Sequence, residues 1–578
     1  MRVVFGRETL LQRDYAINFV AGINGTGKST LLRALYTVFR HLDRAKVPPF
    51  PVTLVYDADN RRDPQAVLFH YPGKSRSKAF FYVKPGKPWS DRDAEEWDQL
   101  AEAARKREGE ATFVSGDALS GNNVLREFLP GYVLAYTSGI VDEWDRVGQP
   151  VFPEEELPDS REIELPEEFP ASALFRRGFA AEAESPEAEA SPSVGAASWP
   201  VRIPPLGRCR LLTDSEIKLA GVAFGIWHAF MEFTGAEDER SQERARHQPL
   251  CDRRPEVMGS ARSLVDKMDW LWPTHLSLLM NLDVARLSAG RQAQLLVLMA
   301  LADAGISQPG KRGQLVLPLS ALGRRDVGEK LTTRFREGKL PPMVKEIADR
   351  IGRAPNGAEA LCRLCHPEPN LWATFETLHQ WHLEGLLVDA TLTVRRSTDN
   401  GVIVYEGLSD GERMLLGRMA LLFLLQQRDG SLLLLDEPET HFNDFWKREI
   451  VDVIHDSLKR TAVQVLVATH SSITLSDAFS AEVALLEKHN DGIQAMSPPI
   501  PTLGEEPGEI MVRLFGAPET IGQRAAEWLD GLIRQPWKPE QREELERIIQ
   551  RIGAGYYRSE LRAALRKLQY ASPHSTPA

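Results

Sequence analysis

The sequence predicts an α/β fold in which one sheet is assembled from two distant chain segments, with a mostly helical insertion between them. Three observations carry this. An apolar strand pattern at Tyr15–Val20 runs into a glycine-rich loop and then a helix. An all-leucine run, Leu432 to Leu435, ends in two adjacent carboxylates, Asp436 and Glu437. One helix later a second apolar run, from Val463, ends in Thr469, His470 and Ser471.

Residues 1–149 read as the first half of the sheet region. Tyr15 to Val20 alternate only loosely, which suits a strand covered on both faces. Leu31, Leu32, Leu35, Val38 and Phe39 then recur at helical spacing. Thr53–Tyr56 and Ala79–Val83 read as short strands separated by Gly and Pro, residues 91–110 as a polar helix, and Tyr132–Tyr136 as a further strand. In residues 150–206 Pro, Glu and Ala dominate, a composition that buries too little apolar surface to offset ordering, so a linker is expected. Residues 207–385 read as a mostly helical insertion without sustained heptads. Strands return over 386–490, at Leu387–Val388, Thr391–Val394 and Val402–Tyr405, ahead of the leucine run. Residues 491–578 read as helical with a polar tail.

Bulk properties narrow the function classes. The chain has 578 residues, more than one core ordinarily serves, so several domains are expected. Lys and Arg total 70 against 81 Asp and Glu, a net charge of -11, which argues against a generally basic nucleic-acid coat but leaves room for a local basic groove. The longest apolar run, Met419 to Leu425, is far short of the roughly 20 residues that span a bilayer. With four cysteines and no secretion-signal pattern at the start, the cytoplasm is the expected compartment.

Gly22-Ile-Asn-Gly-Thr-Gly-Lys-Ser29 matches the phosphate-loop pattern G-x-x-x-x-G-K-S completely. Gly22, Gly25 and Gly27 let backbone N–H groups curl around phosphate oxygens, and the helix that follows sets its positive dipole end at the same point. Lys28 reaches the β- and γ-phosphates, Ser29 offers a hydroxyl to Mg²⁺, and Asn24, Thr26 and Thr30 complete the expected ATP-contacting set. At the end of the leucine run the two acids take separate roles: Asp436 holds Mg²⁺, directly or through water, and Glu437 orients and deprotonates the attacking water. His470, at the end of the next strand, is placed to reach the γ-phosphate. Leu408-Ser-Asp-Gly-Glu412 opens a helix. Ser409 and Glu412 have capping-box spacing, and the same capped N-terminus, with Gly411 beside it, can present a hydroxyl and N–H groups to a phosphate; both readings stand together.

In that order, these motifs resemble the ABC-type ATPases, and the large insertion resembles the branch that contains the SMC, RecF, RecN and overcoming-lysogenization-defect proteins. Asp436-Glu-Pro-Glu-Thr-His441 is similar to the corresponding stretch of bacterial defence-associated AAA-family ATPases, such as the Septu ATPase subunit and restriction-system-associated ATPases. Leu134-Ala-Tyr-Thr-Ser-Gly139 also looks like a piece of that group. The resemblance covers residues 15–45 and 400–490. It implies a P-loop NTPase head of the ABC type, and a head-to-head homodimer in which Ser409 and Gly411 of one subunit close on the ATP held by the other's Gly22–Ser29 loop.

Several features depart from the pattern. Asp410 and Glu412 stand where transporters carry Gly and Gln. Phe442-Asn-Asp444 replaces the usual Leu-His-Pro, which leaves Asp444 as a dimer-contact candidate. No Gln is assigned to sensing Mg²⁺. Some relatives carry a Toprim nuclease after the ATPase, and the 108 residues after His470 show no convincing Glu and Asp-x-Asp set, so a nuclease effector is expected to be a separate protein.

Cys362-Arg-Leu-Cys365-His366 matches a haem-attachment pattern, but without export a packed helix segment is the better reading, ahead of zinc with Cys209, His247 or Cys251. The basic clusters Arg240–Arg254 and Arg324–Lys339 are interleaved with acids, as in solvated helix faces, and carry no stacking aromatics. Three functions compete: an ATP-gated switch acting on nucleic acid with a partner effector, the nucleotide-binding subunit of a membrane transporter, and an ATP-binding scaffold without turnover. The long insertion disfavours the second, and Glu437 disfavours the third.

Overall fold

The computed structural model describes residues 1–5, 15–58, 65–73, 80–85, 112–115, 128–138, 208–235, 268–281, 288–302, 304–308, 312–319 and most of 340–571, with a few isolated positions besides. The expected linker at 150–206, the basic clusters at 240–254 and 324–339, His247, Cys251 and most of the polar helix at 91–110 lie outside them.

In chain order the strands are β1 (Ala16–Ala21), β2 (Val52–Ala58), β3 (Gln65–Tyr71), β4 (Phe80–Pro85), β5 (Thr112–Ser115), β6 (Val133–Thr137), β7 (Cys209–Leu212), β8 (Trp270–Asn281), β9 (Ala304–Gln308), β10 (Arg312–Pro318), β11 (Leu387–Arg396), β12 (Val402–Val404), β13 (Leu432–Asp436), β14 (Gln464–Thr469), β15 (Val483–His489) and β16 (Gly492–Met496). The helices are α1 (Lys28–Asp43), α2 (Asp214–Gly235), α3 (Ala289–Leu301), α4 (Pro342–Ile351), α5 (Gly357–Cys365), α6 (Leu371–Leu383), α7 (Asp410–Leu425), α8 (Asp444–Leu458), α9 (Ser472–Leu475), α10 (Pro507–Arg513), α11 (Gln523–Arg534), α12 (Arg542–Arg551) and α13 (Tyr556–Ala571).

The main sheet has the order β16-β15-β1-β14-β13-β6-β7. Its pairings are parallel except for β16 at the edge. The α/β fold is therefore built from both ends of the chain, as the sequence predicts. One detail is corrected. A sheet that brings Lys28 beside Asp436 and Glu437 suggests that the strand before the phosphate loop adjoins the acidic strand, but β14 lies between β1 and β13. All three end on the same side of the sheet, since Ala21 is level with Thr469 and Asp436 with Ala468.

Both faces of this sheet are covered, which is why its strands read as continuous apolar runs. Ile17, Phe19, Leu433, Leu435, Val465 and Val467 point into one core with α2, α7 and α8. Val20, Leu434, Leu466 and Ala468 point into the other, with Leu32, Tyr36 and Phe39 of α1 and with Val67, Phe69 and Phe81 of an antiparallel sheet ordered β2-β3-β4-β5.

Helices dominate the described part of the insertion, but it also supplies strands that the helical reading missed. β7 extends the main sheet, and β8, β9 and β10 join β11 and β12 in a five-stranded antiparallel sheet. In β8, Leu276, Leu278 and Met280 are fully buried at a period of two, and this short alternation was hidden in a Leu-rich stretch. α2 and α7 cross closely: a Cβ on Gly417 would come 2.3 Å from Ile217 Cγ2 and 3.0 Å from its carbonyl oxygen. At the C-terminal end α12 and α13 share a small core of Leu545, Ile549 and Leu561, with Leu532 and Ile533 of α11 packed against it. Among the described residues no helix is long and apolar enough to cross a membrane.

Candidate functional site

The loop after β1 has the backbone that its glycines allow. Gly22, Gly25 and Gly27 adopt φ of 152°, 83° and 90°. Gly22 is also forced by space, because a Cβ there would come 2.6 Å from Thr26 Oγ1 and 2.7 Å from the Leu486 carbonyl oxygen. Thr26, buried, donates its hydroxyl to the Ile23 carbonyl at 2.8 Å and so closes the loop on itself. Gly27 caps α1 without any side-chain hydrogen bond, which leaves the first N–H groups of a helix without a capping side chain, the standard arrangement for an anion site. Asn24, Gly25 and Thr30 are exposed around the loop, and the Thr30 hydroxyl accepts from Arg33 at 3.2 Å.

Lys28 is buried and folds back over the loop, donating to the carbonyls of Gly22 at 2.8 Å and Ile23 at 3.2 Å. Burial lowers its pKa, while Glu437, Asp436 and Glu439 act in the opposite direction. Its ammonium lies 4.0 Å from Glu437 Oε1, so the two ends of the chain do meet.

Asp436, at the end of β13, is 3% exposed and held from both sides: Ser29 Oγ donates to Oδ1 and Thr137 Oγ1 to Oδ2, each at 2.9 Å. Burial raises its carboxyl pKa, and these two hydrogen bonds oppose the rise. Around an octahedral Mg²⁺ with ligands at roughly 2.0–2.1 Å, neighbouring oxygens stand about 2.9 Å apart. The 2.9 Å spacing of Ser29 Oγ and Asp436 Oδ1 therefore fits two adjacent ligands of that ion.

Glu437 begins the turn that follows and has left-handed backbone, φ 49°. Its N–H still donates to Ala468 O at 2.9 Å, and Ser138 Oγ donates to its carbonyl at 3.0 Å. The side chain is thus aimed off the sheet end, where His470 Nδ1 lies 2.9 Å from Oε1. That hydrogen bond holds the Glu437 carboxyl below the usual range and raises the His470 imidazole above its own. A carboxylate that stays ionised at neutral pH beside an open phosphate loop can accept a proton from water.

Three residues at this site were not assigned a role by the sequence reading. Thr137, at the end of β6, is the second anchor of Asp436. Glu439 is buried and accepts from the Thr469 hydroxyl, tying the turn after β13 to the end of β14; burial pushes its pKa up. Arg418 of α7 is fully buried and donates to the carbonyls of Pro438 and, at 3.0 Å, Thr440, and to Tyr136 Oη at 2.8 Å. One signal was available for Arg418, a lone charge within the otherwise apolar run Met414–Leu425, which demands partners once buried.

At the N-terminus of α7 the capping box is present: Ser409 N–H and Oγ donate to Glu412 Oε2 at 2.8 and 2.7 Å, and Glu412 N–H donates to Ser409 Oγ at 3.3 Å. Asp410 pairs with Arg413 on the exposed side. Ser409 is exposed, and its N–H and hydroxyl pair with Glu412 of its own helix; among the described residues no hydrogen bond joins it or Gly411 to the loop Gly22–Ser29 of the same chain. Gly411 instead faces the turn after Glu439, where an added Cβ would lie 3.7 Å from Trp446 Cδ1 and 3.9 Å from the His441 carbonyl oxygen. Asp444 opens α8, exposed, 3.5 Å from Lys447. Cys362 and Cys365 lie in α5 with both thiols pushed up by burial, as a packed helix segment requires.

Residues 325–477 match the family model described as "AAA domain, putative AbiEii toxin, Type IV TA system", a span that contains α7, β13 and β14 but not the phosphate loop. No curated protein matches the chain. Among solved structures it is similar to the Smc head domain with an extended coiled coil bound to the C-terminal domain of ScpA from Pyrococcus furiosus, at 11% identity over 84% of this chain and 90% of that one, TM-score 0.24. It is also similar to the Smc head domain with a coiled coil and joint from Pyrococcus yayanosii, at 12% identity over 86% and 94%, TM-score 0.23. At such scores the fold rests on the strand order above. The phosphate loop, the held Asp436 and the family match together make this an ATPase-type nucleotide site.

Proposed function

We propose that this chain is an ABC-type ATPase that binds MgATP at Gly22–Ser29, hydrolyses it to ADP and phosphate, and uses the cycle to gate a separate effector, a nuclease, in anti-phage defence or DNA maintenance. The observation that carries the reading is the joint placement of Ser29, Asp436, Glu437, Lys28 and His470 at one end of the sheet.

Lys28 leaves the Gly22 and Ile23 carbonyls for the β- and γ-phosphates, and the N–H groups of the loop and of α1 hold their oxygens. Ser29 and Asp436 would hold Mg²⁺, which supplies charge neutralisation on the phosphates when bound. Glu437 takes the proton of the attacking water, and His470, hydrogen-bonded to it, fixes its orientation and reaches the γ-phosphate. The exposed Ser409, with the half-buried Gly411 two residues on, suits contact with nucleotide held by a second copy, which would make ATP the glue of a homodimer. The match of residues 325–477 to a family of AAA domains described as a putative AbiEii toxin of a type IV TA system supports a defence setting.

Glu437→Gln tests the reading. We expect turnover to fall by roughly 10²–10⁴-fold while ATP binding persists and the dimer is trapped. Unchanged turnover would remove Glu437 from the base role.

A further inference from the structure

We propose that Arg418 is a positioning residue that clamps the turn Pro438–Thr440 to helix α7 and so fixes Glu437 relative to the phosphate loop. The inference rests on the assignment of Glu437 as the base, and adds a residue of helix α7, outside the phosphate loop, that governs its placement.

Arg418 is fully buried, and among the described residues no carboxylate lies at ion-pair distance from it. Its charge is met instead by the carbonyls of Pro438 and Thr440, by Tyr136 Oη, and by the ring faces of Tyr136 and Phe442, each centroid 5.0 Å from Cζ. A buried guanidinium is costly unless its donors are served, so the turn is held in the shape that serves Nη1 and Nη2, while Nε has no hydrogen-bond partner among the described residues. The two carbonyls bracket Glu439, whose carboxyl is joined to Thr469, and Glu437 lies immediately before Pro438. The same fork reaches β6, because Tyr136 precedes Thr137, the anchor of Asp436. α7 touches this turn a second time where Gly411 faces the His441 carbonyl. Any displacement of α7 by a partner at Ser409 would therefore be carried to the backbone that bears Glu437. Lysine cannot replace this fork, since a point charge does not reach two carbonyls and a phenol at once.

Arg418→Lys in the full chain is the test. ATP affinity should stay within about twofold of wild type, while kcat falls roughly 10- to 100-fold, the cost of a misplaced catalytic group. Independently of turnover, amide exchange should accelerate in the peptide covering residues 436–446 and remain unchanged in α1. Wild-type exchange in that peptide overturns the clamp, as does acceleration spread evenly over the chain. A wild-type protein that binds ATP without turnover would sink the function reading, and the exchange measurement would still decide the clamp. Should Arg418→Lys fail to fold, Tyr136→Phe removes one of the bonds with little change of volume. The same local acceleration, smaller in size, is expected there, and unchanged exchange overturns the proposal.

Discussion

Thr137 Oγ1 donates to Asp436 Oδ2 at 2.9 Å, so the end of β6 braces the acidic end of β13 from the side opposite Ser29. Thr137→Val preserves shape and removes this brace. The buried hydrogen bond is worth about 1 kcal/mol of stability. The larger effect is expected in the metal response: the Mg²⁺ concentration for half-maximal turnover should rise several-fold, measured by steady-state assay across a Mg²⁺ titration. An unshifted Mg²⁺ curve would show that Ser29 alone suffices to hold Asp436.

Gly22 and Gly25 both have positive φ, but only Gly22 is also hemmed in by Thr26 and the Leu486 carbonyl. Gly25 has nothing within 4 Å of an added Cβ. Gly22→Ala should therefore abolish ATP binding, read by calorimetry, whereas Gly25→Ala should bind ATP with losses of about 1–2 kcal/mol from backbone strain alone. Equal behaviour of the two variants would contradict the crowding at Gly22.

The His470–Glu437 pair makes stability depend on pH in two directions. The imidazole pKa is raised, so its contribution is complete below the ordinary value near 6.5 and is lost as pH rises through the raised one. The carboxyl pKa is lowered, so its contribution is present above the ordinary value near 4.5 and is lost as pH falls through the lowered one. His470 is about half exposed, which holds the pair to well under about 1 kcal/mol. The urea midpoint of His470→Gln should trail wild type most in mildly acidic buffer and converge with it in alkaline buffer.

A stronger acid response is expected from Glu216, which accepts from Thr213 N–H at 2.8 Å at the start of α2 and lies 3.5 Å from His379. Burial pushes its carboxyl up, and hydrogen bonds from His379 and Thr213 more than reverse this, bringing it to about 2. The stabilisation is full above pH 4.5 and fades as pH falls toward 2. Glu216→Gln should flatten that acid limb, removing at most about 3 kcal/mol at neutral pH. Parallel acid unfolding of variant and wild type would refute it.

The site was legible wherever one residue type at one spacing has a single chemical use. The glycines, Lys28 and Ser29 are of this kind, and two carboxylates closing a leucine strand are hard to place otherwise. Thr137, Arg418 and Glu439 were not legible, because their roles exist only between segments. A threonine ending a strand has many uses until Asp436 is set beside it, and Arg418, though marked as a lone charge in an apolar helix, shows its role only when its partners prove to be carbonyls and rings. The insertion was read as mostly helical because leucine suits both structures, and β8 declares itself through Leu276, Leu278 and Met280 alone. β14 was legible as a strand from Val463, but its place between β1 and β13 was not, since strand order is a property of the assembled sheet.

Among the described residues β1 pairs with β14 and β15 alone, both made from residues beyond 460. At synthesis rates of about 5–20 residues per second, this apolar ribbon waits on the order of half a minute for its first neighbour. During that time the nascent chain has the phosphate loop without Asp436, Glu437 or His470, so the candidate site comes together only after residue 470 has been made. The same delay leaves β1 an unpaired edge on the ribosome, where chaperone demand and aggregation losses during expression should concentrate.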